Sequence, residues 1–327
     1  MTVTLENASF SDEVTVYVIE SVTFTEHFDD SEITGVKPIF PSPKPEYGFD
    51  NFGLSNSVHP WKSVEVTSSD FCGVHITPFS SKNEVSIESQ DKSIAATTAL
   101  DNTSYATGLK LYINGVNKGE TKVDVKPSIS ENTANCNYIN IVVYPKKSRK
   151  VGIVLINLPG RTSMDINIAD LRSHLNEDIY NQAVLEWEVI RIPNTIVNFD
   201  LDGNGGVNII YDNSTSPASY SLSLEHAEIV NAVNSNGYDS VIYLVEDVRM
   251  VDPNGAAVSV SRPNGMADLG GNRAFIHNAS VSTSAHELGH NLGMRHSPNG
   301  DKENIMYFQG IQGRDRLRKN QWDFIQN

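Results

Sequence analysis

From residue 1 to about 145, apolar side chains recur at every second position between turn-forming stretches. Glu13-Val14-Thr15-Val16-Tyr17-Val18-Ile19, Ser63-Val64-Glu65-Val66-Thr67, Glu84-Val85-Ser86-Ile87 and Tyr138-Ile139-Asn140-Ile141-Val142-Val143 follow this period. They read as half-buried strands, because successive side chains on a strand point to opposite faces. Lys110-Leu111-Tyr112-Ile113 and Val116 flank Asn114-Gly115, a pair suited to the positive φ angles of a type I′ turn, so a hairpin is expected there. No long helical period interrupts this stretch, and residues 1–147 are expected to form an all-β, sandwich-like domain. The proline-rich run Lys37–Pro45 reads as an extended surface segment.

Beyond Lys150 the period changes. Lys150–Leu158, apolar between its Lys150 start and Asn157, reads as a buried strand, and Ile168, Leu171, Leu175 and Ile179 then recur at helical spacing. A strand at Thr195–Phe199, a helix through Leu224, Ile229, Val230 and Val233, and a strand at Ser240–Val245 follow. Gly255–Val260 reads as a further short strand. Arg314–Gln326, with Leu317, Trp322 and Ile325 on one face, reads as a closing amphipathic helix. Residues 148–327 are thus expected to form a separate α+β domain.

The chemistry of that second part is concentrated in His286-Glu287-Leu288-Gly289-His290-Asn291-Leu292-Gly293-Met294-Arg295-His296, an H-E-x-x-H-x-x-G-x-x-H run. Residues four apart on a helix share a face, about 5 to 6 Å apart, so His286 and His290 can present their imidazoles to one zinc ion. Gly293 allows the helix to stop and turn, since glycine tolerates φ > 0, and His296 can then swing back as a third ligand. Three protein ligands leave a position for water, whose pKa falls to about 7, and Glu287 is placed to act as its general base. The competing reading, two surface histidines on a helix by accident, would have to supply Gly293 and His296 as well.

The run, followed by Asn304-Ile305-Met306-Tyr307, resembles the signature of the metzincin zinc metallopeptidases. Within that clan it is most similar to the adamalysin (reprolysin) branch. Ser297 after the third histidine is matrixin-like, and Ile305 stands where many adamalysins carry Cys. The resemblance implies a catalytic domain with a twisted mixed sheet, a backing helix, a zinc helix and a methionine turn, in which Met306 floors the three histidines. It also implies a sheet edge at Gly255–Val260, with Ala257 and Val258 pairing with extended substrate. Tyr307 and Phe308 are candidate walls of the specificity pocket. The activity implied is a zinc-dependent endopeptidase with Glu287 as catalytic base and His286, His290 and His296 as zinc ligands.

Composition narrows the partners. Over 327 residues the formal net charge is −15, which argues against nucleic acid, because that partner needs basic patches. No apolar run is long enough to span a bilayer. A monomer acting on protein or peptide substrate is expected. Met1–Glu6 carries no basic or apolar leader, which suits a mature, recombinant or cytosolic chain. Two cysteines, Cys72 and Cys136, are too few for a disulfide framework and suggest bacterial-type export.

Weaker signals attach to four places. Asp200-Leu201-Asp202-Gly203-Asn204-Gly205 matches the first half of a calcium loop, with Tyr211 where an EF-hand carries Glu, so either a looser calcium site or a polar turn is expected. Cys72-Gly73-Val74 resembles the core of the cysteine switch that keeps matrixin and adamalysin zymogens latent; a buried free thiol or a Cys72–Cys136 bridge are the alternatives. Lys146-Lys147-Ser148-Arg149-Lys150 reads as a solvated linker or an activating cleavage site. The remaining histidines, His75, His174 and His277, read as structural. Two other functional readings stay open: residues 1–147 as a glycan- or protein-surface-binding domain directing a narrow peptidase, and a translocated toxin or effector.

Overall fold

The computed structural model describes residues 2–4, 13–15, 21–25, 47–50, 59–77, 85–100, 108–127, 137–161, 164–215, 219–298, 300–308 and 314–327. The expected strand residues 16–19, the proline-rich segment and Cys136 lie outside them. The architecture is α+β, with several sheets and few helices. The chain divides into two compact units, Met1–Lys146 with Gln182–Val184 and Gln326, and Lys147–Asn181 with Leu185–Ile325 and Asn327. Among the described residues no helix is long and apolar enough to cross a membrane.

The first unit holds β1 (Thr2–Thr4), β2 (Glu13–Thr15), β3 (Ser21–Thr25), β4 (Phe49–Asp50), β5 (Trp61–Glu65), β6 (Ser69–Thr77), β7 (Val85–Ser89), β8 (Ala95–Leu100), β9 (Gly108–Gly115), β10 (Gly119–Pro127) and β11 (Asn137–Tyr144). Its two larger sheets run β4-β5-β11-β10-β7 and β3-β6-β9-β8. Period-two alternation decides what each buries: Val123, Val125, Ile139, Ile141 and Val143 in one, Cys72, Val74, Leu109, Leu111 and Ile113 in the other, all without solvent exposure.

Asn114-Gly115 does not make the expected hairpin. Both residues end β9, which pairs with β6 and β8, whereas β10 pairs with β11 and β7. The chain changes sheets across Val116–Lys118 instead. Gly115 is required by close approach: a Cβ there would overlap the Glu65 carbonyl oxygen.

The second unit contains β12 (Lys147–Asn157), α1 (Ile168–Ser173), β13 (Leu185–Arg191), β14 (Thr195–Ile196), β15 (Val207–Asp212), β16 (Ser219–Leu222), α2 (Leu224–Ala232), β17 (Ser240–Leu244), β18 (Val248–Val251), β19 (Gly265–Ala267), β20 (Arg273–Ile276), α3 (Val281–Asn291) and α4 (Lys319–Gln326). Its main sheet runs β13-β12-β17-β20-β19, parallel except for the antiparallel edge β19. One face meets α2 through Val154, Ile156, Val241, Tyr243, Phe275 and Ile229. α3 packs against β17, β19 and β20, with α1 and the turns after it.

Several elements depart from the periodicity. α1 continues as a π-helical stretch over His174–Ile179, and Leu171, Leu175 and Ile179 are all buried. In α2 the first apolar residue, Leu224, is 78% exposed, while Glu225, His226 and Ile229 face inward. α4 starts only at Lys319, because the preceding chain is captured by tertiary pairing: Ile305 N–H donates to the Arg316 carbonyl, and the Asp315 and Arg316 amides donate to Glu303.

The sheet edge also lies elsewhere than expected. Ala257 makes only an isolated bridge to Val251, and Val258 N–H bonds the Met250 carbonyl, so this segment folds back on β18. The edge beside α3 is β19, Gly265-Met266-Ala267, a run too short and too poor in β-branched residues to announce itself.

The basic cluster is not a linker. Lys147–Lys150 belongs to β12 and pairs with Leu185–Glu188 of β13, and Lys150 N–H donates to Asp239 Oδ2 at 2.7 Å. A protease needs an extended, unpaired segment. Limited tryptic digestion followed by mass spectrometry is therefore expected to leave the bonds after Lys147, Arg149 and Lys150 intact while exposed loops are cut; early cleavage there would refute this pairing.

Candidate metal centre

α3 begins at Ser280, whose side chain accepts the Thr283 amide at 3.2 Å, a hydrogen-bonded N-cap that satisfies one orphan donor of the first turn. Thr283 through Gly289 are all buried. The helix stops at Leu292, and Gly293 follows with φ +93°, its N–H on the His290 carbonyl at 2.8 Å and the Met294 N–H on the Gly289 carbonyl at 3.0 Å. That left-handed residue turns the chain so that His296 comes back toward the helix.

One ring nitrogen from each of His286, His290 and His296 lies within 4.8 Å of the others. His290 Nε2 and His296 Nε2 are 3.2 Å apart, close to the roughly 3.3 Å between two nitrogens on one tetrahedral zinc. His286 Nδ1 donates to the Ile305 carbonyl at 2.6 Å and His290 Nδ1 to the Met294 carbonyl at 2.8 Å. These bonds fix the tautomers, leaving both Nε2 lone pairs for a cation. Burial lowers the pKa of all three rings, that of His286 to about 3, so they are neutral and ligand-competent at pH 7.

Glu287 is 5% exposed, and burial pushes its carboxyl up to about 8, against the opposing pull of the Arg314 guanidinium. Gly265 of β19 lies directly over it: a Cβ at that position would be 2.8 Å from Glu287 Oε1. The edge strand can therefore approach the carboxylate only as glycine.

Met306 is fully buried under α3, and a Cβ on Gly289 would overlap its sulfur. The turn that carries it closes through Tyr307 N–H to the Asn304 carbonyl at 2.9 Å, with Asn304 Oδ1 accepting the Met306 amide at 2.9 Å. Ser297 N–H donates to the Met306 carbonyl at 2.9 Å, tying the third histidine's segment to the same turn. Tyr307 is buried and its carbonyl accepts from Arg314, whereas Phe308 is half-exposed with its ring 6.4 Å from that of His296.

Residues that no motif marked complete the centre. Tyr180, after α1, donates its hydroxyl to the Ala285 carbonyl at 2.6 Å, and burial, with Glu287 nearby, raises its pKa so that it remains a donor. Asp301 accepts from Arg318 and from Asn304 Nδ2 at 3.0 Å, anchoring the loop between His296 and the methionine turn. A conspicuous aromatic in a helical run and an isolated Asp-Arg pair look like ordinary core and surface in one dimension.

The acidic loop forms a second group of donors. Oxygens of Asp200, Asp202 and Glu225 lie within 4.8 Å of one another. Asn204 is used otherwise: Nδ2 donates to Asp202 Oδ2 and Asn208 Oδ1, and Oδ1 accepts the Gly206 amide. Glu225 from α2 takes its place. Burial raises the Glu225 pKa, with Asp202 and Asp200 adding to it, against the amide hydrogen bonds of Asn208 and Leu201. Such a set of carboxylates suits a hard cation.

Cys72 lies in the interior of the first unit, unbridged and without solvent exposure, and burial pushes its thiol up to about 12. Metal capture needs thiolate, so in this position the Cys-Gly-Val segment supplies a core side chain.

No family model and no curated protein matches the chain. Among solved structures, the S-layer protein rSbsC(31-844) aligns over 43% of this chain and 15% of its own at 14% identity, with a TM-score of 0.25. Domains 4 and 5 of the S-layer protein SbsC align over 41% of this chain and 51% of theirs at 13% identity, with a TM-score of 0.23. The chain thus spans about half or less of the length of these neighbours.

Two outcomes follow from the buried groups. Gly289→Ala is expected to cost about 1–3 kcal/mol of stability through overpacking on Met306, read as a lowered Tm. For Glu287 burial raises the folded-state pKa to about 8, above the ordinary glutamate value of 4.5, so the neutral form is favoured and stability is lost as pH rises between these values. With chelator present, Glu287→Gln should raise the Tm at pH 7–8 and leave it unchanged at pH 4; equal Tm values at both pH values would contradict the burial.

Proposed function

We propose that the second unit is a zinc-dependent endopeptidase. The observation that carries this reading is the convergence of three imidazoles, those of buried His286, half-buried His290 and exposed His296, beside the buried Glu287 carboxyl, under a glycine of what is, among the described residues, an edge strand. Nitrogen donors, their spacing and their carbonyl-bound Nδ1 atoms suit zinc rather than calcium or magnesium, which take oxygen. His286, His290 and His296 would hold the zinc, which when bound would supply a Lewis acid for water and the scissile carbonyl.

Glu287 removes a proton from the attacking water and returns it to the departing amine. Its carboxyl, raised to about 8 by burial and pulled down by Arg314, responds the same way to any further cation, which brings it towards the working pH. Met306 and Gly289 hold the histidines' platform, and Tyr180 fixes the helix backbone at Ala285. Among the described residues no strand pairs with the outer side of β19, which can therefore offer its backbone groups to an extended peptide. In antiparallel pairing, the peptide's N-terminal half lies along the Ala267–Gly270 end and its C-terminal half along the Gly265 end, over Glu287. The mixed parallel sheet with one antiparallel edge, α3 and the turn at Met306 support the metzincin resemblance, with β19 in place of Ala257 and Val258 as the substrate edge.

Zinc-loaded Glu287→Gln should lose at least about 100-fold in hydrolysis of an unfolded protein while still binding one equivalent of zinc. Retention of wild-type turnover would overturn the role. Calcium falls to Asp200, Asp202 and Glu225 in the same reading: titration with calcium should raise the Tm of the wild type and not of Asp202→Ala, and an unmoved wild-type Tm would remove it.

A further inference from the structure

Asn304 opens the methionine turn and is 1% exposed. Its side-chain amide has a full set of partners, two donated bonds and two accepted ones. Oδ1 accepts the Met306 amide at 2.9 Å and Gln321 Nε2 at 3.2 Å, while Nδ2 donates to Asp301 Oδ2 at 3.0 Å and to Gln321 Oε1 at 2.8 Å. Asn304 and Gln321 thus form a reciprocal amide pair. Gln321 Oε1 also accepts the Arg318 N–H at 2.8 Å, reaching back over the first turn of α4 to the residue that precedes it.

This pair fixes which way the Asn304 amide points. Reversed, its nitrogen would face two donors, the Met306 N–H and Gln321 Nε2, and its oxygen would face two acceptors, Asp301 Oδ2 and Gln321 Oε1. A buried amide set against such neighbours loses its bonds and gains none. The main chain brings the two residues together. Ile305 N–H donates to the Arg316 carbonyl at 2.9 Å and Arg316 N–H to the Glu303 carbonyl at 3.0 Å, so the chain entering α4 runs beside the turn.

The consequence reaches a metal ligand. Between Asn304 and Met306 stands Ile305, whose carbonyl accepts His286 Nδ1 at 2.6 Å. The Asn304 amide pins the backbone on both sides of that carbonyl, through its own position and through the Met306 N–H. A carbonyl that turned away would free His286 to carry its proton on Nε2, the nitrogen a cation needs.

We propose that Gln321 is a positioning residue of the three-histidine centre: through its amide pair with Asn304 it aims the Ile305 carbonyl and so holds His286 in the tautomer that can bind a metal. Its meaning for catalysis rests on the zinc endopeptidase reading, whereas its effect on the His286 tautomer is tested without metal.

The zinc-free protein, with nitrogen-15 in its histidines, is observed by NMR at pH 7 as wild type, Gln321→Met and Ile325→Val. Ile325 is a buried apolar residue of the same helix, and its truncation lowers stability without removing a hydrogen bond. The wild type should show His286 with its proton on Nδ1 alone, and so should Ile325→Val. Gln321→Met should show a mixture of both tautomers. Zinc affinity, measured by chelator competition, should fall about 10-fold in Gln321→Met, as for an outer-shell partner, and stay at the wild-type value in Ile325→Val. Gln321→Glu keeps the acceptor for Arg318 and loses only the bond to Asn304 Oδ1, so it serves if Gln321→Met does not fold. A Gln321 variant with a lowered Tm and an unchanged His286 tautomer overturns the proposal, as does an equal tautomer shift in Ile325→Val. A wild type that takes up no zinc removes the zinc reading, while the tautomers still judge Gln321.

Discussion

The contact on which the candidate centre depends is the one between the Met306 sulfur and the bare backbone of Gly289. With no side chain in the way, the turn at Asn304–Tyr307 can press against the underside of α3. That approach brings the Ile305 carbonyl to His286 Nδ1 and the Met306 carbonyl to the Ser297 amide. One ligand is thereby oriented and the segment carrying another is tethered. Dense packing transmits such a constraint, because an interior near crystal density has no slack in which the turn could drift.

Burial then determines the charges. The histidines stay neutral because their surroundings oppose imidazolium, and Glu287 resists ionisation for the same reason. A site that disfavours protons on nitrogen and a lone negative charge on oxygen is one that a cation relieves. Among the described residues, Arg314 is the positive group that acts on Glu287, and its bond to the Tyr307 carbonyl holds it against the same turn. Structure and electrostatics therefore converge on a single short segment, residues 304–307.

The edge strand illustrates how small residues carry the geometry. Gly265 lets β19 cross Glu287, Gly293 lets the chain reverse after α3, and Gly115 in the first unit lets β9 approach Glu65. Only at Gly293 is a positive φ the reason; at the other two it is proximity. The pair Asn114-Gly115 misleads as a hairpin signal for this reason, since the same glycine serves either a turn or a close approach, and only the pairing of β9 with β6 and β8 distinguishes them.

The sequence by itself determined the local terms. Spacing of four and then six placed His286, His290 and His296 where a helix and a glycine turn can bring them together, and period-two runs marked the strands of the first unit. What depended on long-range contact was not legible. Glu225 joins Asp200 and Asp202 only because α2 packs over their loop, displacing Asn204 from the set. Residues 314–318 are extended because Glu303 and Ile305 capture their backbone, although their side chains fit a helical stripe. Tyr180 and Ala285 are separated by 105 positions and meet through one hydroxyl. Helical and strand periods report which face of a segment is apolar; which segment that face meets, and which polar atoms it encloses, is settled by tertiary packing.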